Sequence, residues 1–159
     1  EADLVLRLAT SPPTQLVGRR IAPIWAAAYG SEAYLQGRTP PLDVAELEWV
    51  RWSEPWRAIP PERWITEHVR PERVRARVDS DLAHTELLVA GSGVGLKPCW
   101  TGDTEPRLRR ATAPMDLGLS LWLLTHEDLR NTGRVRALLR FLGDALARER
   151  GRMLGESDG

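Results

Sequence analysis

Residues 74–100 constrain the fold most, because strand, helix and strand patterns follow one another within them. Apolar and arginine residues alternate over residues 74–78, which is the period-two pattern of a strand with one buried face. Ser80 can then cap a helix, whose positive end is favoured by the neighbouring Asp79 and Asp81. Glycines end that helix, and the apolar run at residues 94–96 predicts a second, parallel strand. The stretch therefore predicts a βαβ unit with a right-handed crossover.

Strand-like and helix-like segments alternate along the rest of the chain, which predicts an α/β fold. Because proline cannot donate to a strand ladder, we expect Pro23 to divide residues 16–29 into two extended pieces. The last helix carries an apolar stripe with helical spacing, formed by Val135, Leu138, Leu139, Leu142 and Leu146. We also expect strands at residues 4–8 and 119–124, helices after the caps Ser31 and Asp43, a helix near residues 62–69, a short polar helix or loop at residues 105–111, and a last helix from Asn131 or Thr132 to about Arg150.

Four tryptophans lie between residues 49 and 64, namely Trp49, Trp52, Trp56 and Trp64. Such spacing is compatible with a surface on which sugars or bases stack. Tryptophan is, however, a large and mostly buried residue. We therefore favour a partly covered flap over the core.

Charge and composition exclude several classes of protein. Basic and acidic side chains balance at 22 each, so no basic field is available to hold nucleic acid against these residues. The single cysteine, Cys99, cannot form an internal disulfide, which suits a reducing compartment. No run of residues predicts a membrane span, and the first residues lack the features of a secretory signal. We expect a soluble cytoplasmic protein that does not contact a membrane.

No set of residues has the spacing of a catalytic or metal site. Ser80, His84 and Asp79 could be proposed as a hydrolytic triad, but the strained GxSxG elbow is missing and capping is a sufficient role for Ser80. The histidines lack the spacing of metal ligands, and nothing in the neighbourhood of Cys99 predicts an activated thiol. The sequence therefore predicts a protein that is not an enzyme and holds no metal.

Three glycines, Gly91, Gly93 and Gly95, superficially resemble a phosphate-binding loop. Such a loop must follow a strand and open a helix, so that the helix amides point at the phosphate. Here the glycines end a helix and open a strand. We therefore expect them to be architectural and predict no nucleotide or other cofactor.

Two strand ends predict a polar cleft. In open α/β sheets, ligands bind at the carboxyl ends of strands, where helix amides are unpaired. The end of the first strand, residues 8–10, and the turn at Asp79 and Ser80 both qualify. Asp79 would disfavour a bare anion unless a cation or Arg7 balanced it. The alternative, that Asp79 is a helix-end charge without ligand contact, stays open at this point.

Several segments together resemble the effector-binding domain of LysR-type transcriptional regulators. They are ADLVLRL, LVGRRIAPIWAAAYGSEAYL, RVDSDLAHTELLVAGSGVGLKPCWTGDTEPRL and, most specifically, LWLLTHEDLRNTGRVRALLRFLGDAL. They run from Ala2 to about Leu146 in the order and spacing of that family. The resemblance implies a periplasmic-binding-protein-like, type 2 fold of two α/β lobes joined by two crossing strands. Lobe one would comprise residues 1–15 and 113–159, and lobe two residues 16–112.

The first lobe is expected to be incomplete. Family members carry a winged helix-turn-helix, a linker helix and the opening elements of lobe one before the segments that match here. The resemblance therefore implies DNA binding only through an N-terminal domain that these 159 residues lack. We also expect apolar sheet edge to be exposed in the partial lobe.

The resemblance also implies which residues line an effector cleft between the lobes. Leu8 and Asp79 fall where family members contact effector, with Ala9, Thr10, Ser80 and Pro98 close by. The chain departs from the family at Asp79, where Asn or Thr is common, and at Lys97, where an apolar residue is common. An Asp79 with Lys97 near it favours a cationic or zwitterionic effector.

The function implied is sensing of a small-molecule effector by a transcriptional regulator. Ligand would close the lobes and so change how the subunits of a homodimer or tetramer present their DNA-binding domains. A solute-binding protein of the same fold, serving transport, is the alternative, and it would require a secretory signal upstream. An enzyme is the least favoured of the three hypotheses.

Overall fold

The structure is a computed structural model that describes residues 3–39, 42–54 and 58–156. The chain divides into two compact units. Unit 1 comprises Glu1–Ile24 and Gly118–Gly159, and unit 2 comprises Trp25–Leu117. Each unit combines strands with helices, as the predicted α/β class requires.

The described residues form strands and helices with these bounds. The strands are β1 (Val5–Ala9), β2 (Leu16–Ser31), β3 (Trp49–Trp52), β4 (Val74–Val78), β5 (Gly95–Pro98), β6 (Leu108–Arg110) and β7 (Met115–His126). The helices are α1 (Glu32–Leu35), α2 (Pro60–His68), α3 (Asp81–Val89), α4 (Cys99–Gly102), α5 (Gly133–Arg148) and α6 (Arg150–Met153). Short 3₁₀ turns lie at Val44–Glu46, Pro71–Arg73 and Glu127–Leu129.

The sheet of unit 1 is built from β1, β7 and the first part of β2, in that order. The predicted first strand is confirmed, and it runs antiparallel to β7 with Leu6 opposite Leu123. Because β1 is the last strand in this order, one of its edges has no strand partner among the described residues. Leu6 and Leu8 on this strand are 49% and 42% exposed, so apolar surface lies at this edge of the sheet.

The C-terminal helix α5 is confirmed, but its predicted apolar stripe is only partly buried. Val135 is buried, whereas Leu138 and the neighbouring Phe141 are 44% and 68% exposed. Thr132 occupies the N-cap position as predicted, yet its side chain makes no capping hydrogen bond. Its hydroxyl donates instead to the carbonyl of Leu129 at 2.9 Å. Helical spacing predicted the helix correctly but not which turns of it the core covers.

Strand β2 corrects the expected break at Pro23. It runs without interruption for 16 residues. Proline fixes φ near −65°, which an extended strand accepts, and removes only one amide donor. In unit 2 the strand continues antiparallel to both β5 and β6.

Strand β6 also corrects an expectation, because the sequence predicts a short polar helix or loop at residues 105–111 and the structure has a strand at Leu108–Arg110. Leu108 is buried and pairs with Ser31 of β2. Arg109 pairs in the same ladder with Gly30. This short strand depends on a partner distant in sequence, which the local polar pattern does not reveal.

The βαβ unit forms with one strand inserted. β4 and α3 are confirmed, and β4 pairs in parallel with β3, with Trp52 opposite Val78. Val94 forms a parallel bridge to Trp49 on the other side of β3. The predicted parallel pairing is therefore confined to Val94, and β3 separates it from β4, while β5 itself pairs antiparallel with β2. The hand of the crossover stays a prediction.

Three of the four tryptophans, Trp49, Trp52 and Trp64, contribute to strand and core rather than to a flap. Trp49 is completely buried in β3, and its indole Nε1 donates to the carbonyl of Val44 at 3.0 Å. Trp64 on α2 packs against the same core with its ring centroid 6.0 Å from that of Trp49. Trp52 lies in β3, and Trp56 lies outside the described residues. The flap prediction was wrong for Trp49 and Trp52, because it did not take into account that their segment pairs with β4.

The predicted caps Ser31 and Asp43 both form their capping hydrogen bonds. Ser31 accepts a hydrogen bond from the amide of Tyr34 at 3.2 Å and so caps α1. Asp43 accepts from the amide of Ala45 at 2.9 Å. The segment after Asp43 is nevertheless a single 3₁₀ turn and not the expected helix, because the chain enters β3 at Trp49.

A buried ion pair attaches α2 to β3. Arg51 Nε donates to Glu62 Oε2 at 2.8 Å, and both side chains are at least nine-tenths buried. The other carboxylate oxygen of Glu62 accepts from the backbone amide of Trp52 at 3.0 Å. The guanidinium also donates to Thr66 Oγ1 at 2.8 Å. The pair is thus satisfied by hydrogen bonds on both sides, as a buried pair must be.

Candidate functional site

Polar groups collect at the amino end of α3 in unit 2. Ser80 occupies the N-cap, and its Oγ accepts a hydrogen bond from the amide of Ala83 at 3.2 Å. Asp79 and Asp81 lie on either side of it and are exposed. Leu82, in the same turn, is 73% exposed. The turn therefore presents a carboxylate-rich surface with one apolar side chain beside it.

Lys97 joins the end of β5 to this turn. Its Nζ donates to Asp81 Oδ1 at 2.7 Å and to Thr85 Oγ1 at 2.9 Å. The lysine side chain is 3% exposed, whereas that of Asp81 is 72% exposed. The two acceptors are four residues apart and so share one face of α3. The ammonium is thus buried under the first turns of the helix, and Asp81 balances its charge from the solvent side.

Asp79 differs from Asp81 in having no such partner. No hydrogen bond or ion pair joins its side chain to the part of the chain that the structure describes. With Lys97 neutralised by Asp81, Asp79 supplies the uncompensated negative charge of the turn. The carboxylate that bonds to Lys97 is that of Asp81, two residues further along the chain than Asp79.

His84 is buried beneath the same helix. Burial, with a smaller contribution from the positive charge of Lys97, lowers the pKa of His84 from 6.5 to about 4. Its Nε2 lies 3.2 Å from the carbonyl oxygen of Val50, so the neutral ring carries its proton there and donates it. The ring stacks on Trp52 with centroids 5.2 Å apart. Because Nε2 is engaged by this carbonyl and Ser80 caps α3, the geometry agrees with capping and not with a triad.

The glycines after α3 have backbone roles. Gly91 ends the helix with a φ of +80°, a conformation that side chains rarely adopt. Gly93 has a φ of +142°, and an added Cβ would lie 2.3 Å from the carbonyl oxygen of Glu48. At Gly95 an added Cβ would lie 2.4 Å from Nε2 of His84. The architectural interpretation of these glycines is confirmed.

The remaining predicted residues are in unit 1, at the end of β1. Leu8 pairs with Leu121 of β7, and Ala9 accepts a 3.2 Å hydrogen bond at its carbonyl from the indole of Trp122. Thr10 follows the strand and is exposed. At this strand end, unit 1 therefore presents a leucine side chain, a backbone carbonyl that already accepts a hydrogen bond, and an exposed hydroxyl.

Within unit 2, the structure brings the predicted residues together indirectly. Ser80 directly precedes Asp81 in the chain, and Pro98 directly follows Lys97. The hydrogen bond between Asp81 and Lys97 therefore links the two segments that carry Ser80 and Pro98. Sequence reasoning missed the roles of Asp81 and Thr85. The available signal was that Lys97 is the only lysine and interrupts an apolar strand.

Cys99 begins α4 directly after Pro98 and is completely buried. Burial raises the pKa of its thiol. The nearby Tyr29 hydroxyl donates to Asp103 Oδ1 at 2.8 Å, which keeps the phenol in place behind the thiol. The thiol is therefore protonated and out of reach of solvent, as a structural cysteine is.

Among the described residues, no group of three or more His, Cys, Asp and Glu side chains is arranged to hold a metal ion. No helix that the structure describes has the length and apolar character needed to cross a membrane.

Comparison with solved structures defines the class of fold. The effector-binding domain of AmpR from Citrobacter freundii matches with a TM-score of 0.69 at 18% identity, over 92% of this chain and 75% of that one. The effector domain of AmpR from Pseudomonas aeruginosa matches with a TM-score of 0.67 at 20% identity, over 93% and 75% of the two chains. The regulatory domain of CcmR from Synechocystis PCC6803, solved in complex with 2-PG, matches with a TM-score of 0.64 at 14% identity, over 89% and 73%. The fold is the periplasmic-binding-protein-like, type 2 α/β fold of regulator effector domains.

The family model for the LysR substrate binding domain matches residues 1–147. The chain belongs to this family, as the resemblance of its sequence segments implied. It is therefore an effector-binding domain of the LysR type, a class of domain that serves transcription regulation. A search of curated proteins found no match.

Proposed function

We propose that this domain senses a small-molecule effector for a transcriptional regulator. The observation that carries the proposal is the family match over residues 1–147. The CcmR regulatory domain, which has a similar fold, was solved in complex with 2-PG, and this supports the proposal of a small-molecule effector. The domain would act by shifting a conformational population and would need no covalent chemistry.

We place the effector between the two lobes expected from the family, residues 1–15 with 113–159 and residues 16–112. Leu8, Ala9 and Thr10 would contribute from lobe one, and Asp79, Ser80 and Pro98 from lobe two. The support within unit 2 is that α3 is capped by Ser80 and joined to β5 through Lys97. A rigid helix terminus beside a strand end is the kind of place where α/β folds bind ligands.

The charge of the proposed site favours an effector with an amine. Asp81 already compensates Lys97, so Asp79 offers a carboxylate that an effector ammonium group can pair with. Leu82, 73% exposed, would contact an apolar part of the same molecule. A cationic or zwitterionic effector therefore fits this turn better than a simple anion.

The coupling to DNA belongs to the parent regulator. We propose that an N-terminal winged helix-turn-helix domain, in a cytoplasmic homodimer or tetramer, reads out the state of this domain. Effector binding would then change the affinity for DNA by the same coupling free energy with which DNA changes the affinity for effector.

A thermal-shift screen of amines, amino acids and organic acids against the full-length regulator tests the proposal. We expect amine-bearing compounds to raise the melting temperature and Asp79→Ala to abolish that rise. Glu67→Ala, which removes an exposed carboxylate from α2 of the same unit, is the matched control and should keep the response. Stabilisation by no compound in the screen would contradict effector sensing. Stabilisation by anions that survives Asp79→Ala would contradict only the assignment of Asp79.

A further inference from the structure

A second polar surface of unit 2 lies away from the amino end of α3, between α1 and β6. A surface pocket of about 610 Å³ opens there. This volume is within the range of small-ligand sites, about 300–1,000 Å³. The residues that line it include Arg38, Arg109 and Arg110, and Glu32 is the acidic member among the described residues that line it.

The guanidinium of Arg109 is only partly engaged by the protein. Its Nη1 donates to the carbonyls of Pro106 and Leu108 at 2.8 and 2.9 Å, which fixes the orientation of the group. Its Nη2 lies 3.7 Å from Glu32 Oε2, too far for a good hydrogen bond. Glu32 is itself 82% exposed, so this ion pair is weak. Arg109 is thus oriented by backbone carbonyls and has donor capacity left over.

Arg38 is positioned by an aromatic ring. Its guanidinium carbon lies 5.1 Å from the centroid of the Tyr34 ring. Such a contact orients a guanidinium plane without using its N–H donors. No hydrogen bond joins the Arg38 side chain to the residues that the structure describes.

The side chains that line the pocket leave it with a net positive charge. Arg110 is balanced by Asp103, to which its Nε donates at 2.8 Å. Arg38 and Arg109 remain, with Glu32 as the nearest compensation within the pocket. The buried Leu35 at its wall offers apolar contact for a carbon skeleton. Two oriented guanidinium groups beside an apolar wall match a small molecule with an anionic head.

We propose that this pocket binds the phosphate or carboxylate group of a small metabolite, with Arg38 and Arg109 as its principal donors. The proposal does not depend on the effector site at the amino end of α3, because it uses different elements of unit 2. Ligand at this pocket would tie α1 to β6, which are joined there by the Glu32–Arg109 contact.

Calorimetric titration of the chain with pyrophosphate at low ionic strength tests the pocket. We expect saturable binding at one site per chain, weakened by added salt. Arg38→Ala and Arg109→Ala should each weaken it about tenfold, the equivalent of one charge-assisted hydrogen bond. Glu32→Gln should tighten it, because the carboxylate competes with the ligand for Arg109.

Arg107→Ala is the matched control. Arg107 is two residues from Arg109 and similarly exposed, but Glu105 and Glu86 hold it through hydrogen bonds and it does not line the pocket. The Arg107→Ala substitution removes the same charge as Arg109→Ala and should leave the affinity for pyrophosphate unchanged. A parallel titration with citrate distinguishes a carboxylate ligand from a phosphate ligand. The proposal is overturned if neither anion binds saturably at millimolar concentration, or if Arg107→Ala weakens binding as much as Arg109→Ala.

Discussion

Lys97 donates a 2.7 Å hydrogen bond to Asp81, although the lysine is 3% exposed and the aspartate is 72% exposed. The pair therefore joins an interior charge to one that water largely solvates. A buried ammonium needs its counter-charge, but an exposed carboxylate contributes only a screened attraction. We therefore expect substitutions of Lys97 and of Asp81 to change the free energy of unfolding by unequal amounts.

Asp81→Asn should reduce the free energy of unfolding by about 1 kcal/mol, because it leaves the Lys97 ammonium without a compensating charge. Lys97→Met should stay within about 1 kcal/mol of the wild type, since an apolar side chain of similar length suits a buried position. Urea unfolding of both single variants and the double variant measures the interaction free energy between Asp81 and Lys97. Asp79→Asn, whose side chain lacks a partner in the described structure, is the control. Equal losses from Asp79→Asn and Asp81→Asn would contradict the assigned pairing.

The buried Arg51–Glu62 pair predicts a larger effect. Glu62→Gln should destabilise the chain by about 3 kcal/mol, because it leaves a buried guanidinium uncompensated. Glu67→Gln, at an exposed position of the same helix, should change stability by less than about 0.5 kcal/mol. Chemical denaturation compares the two variants. A loss below about 1 kcal/mol for Glu62→Gln would show that water reaches the pair.

His84 predicts a dependence of stability on pH. The unfolded chain binds a proton at this histidine below pH 6.5, whereas the folded chain resists protonation until about pH 4. The stabilisation is therefore complete above pH 6.5 and is lost as the pH falls from 6.5 towards 4. We expect the His84 contribution to decrease by about 2 kcal/mol between pH 7.5 and pH 5.

Urea unfolding at both pH values, on the wild type and on His84→Gln, measures this contribution. The variant should be less stable at pH 7.5, because the contacts of the imidazole with Trp52 and Val50 are lost. Its stability should nevertheless fall less steeply with acidification. An identical slope in the two proteins would assign the acid sensitivity to other groups.

Two glycines should respond to alanine in opposite ways. Gly93→Ala should cost at least about 2 kcal/mol, because both its φ of +142° and the nearby Glu48 carbonyl oppose a Cβ. Gly133→Ala should stabilise by about 0.5–1 kcal/mol, since it begins α5 and an added Cβ meets nothing within 4 Å. Thermal unfolding of the two variants checks both signs. A destabilising Gly133→Ala would contradict the open surroundings of that position.

The elements whose structure is set by neighbouring residues could be predicted from the sequence. The caps at Ser31 and Ser80 follow from side chains that reach their own first turn, and α3 and β4 follow from local periodicity. Their prediction needed no knowledge of the tertiary fold. The turn at Asp79 and Ser80, which carries the candidate site, belongs to the same category.

Features that depend on distant partners were missed. β6 is a strand only because Leu108 pairs with Ser31, and β3 is one because it lies between β4 and Val94. The hydrogen bond between Lys97 and Asp81 spans 16 residues and has no local signature. The length of β2 similarly shows that a proline signal, read in isolation, overestimates the cost of one missing donor.

The complete burial of Cys99 has a practical consequence for experiments in solution. As the chain's only cysteine, it is shielded from thiol reagents in the native state, so a second cysteine placed on the surface would take up a fluorophore alone. Without the added residue, the alkylation rate of Cys99 itself can be measured. Its alkylation must await an opening of unit 2, and the rate then reports how often that part of the molecule comes apart.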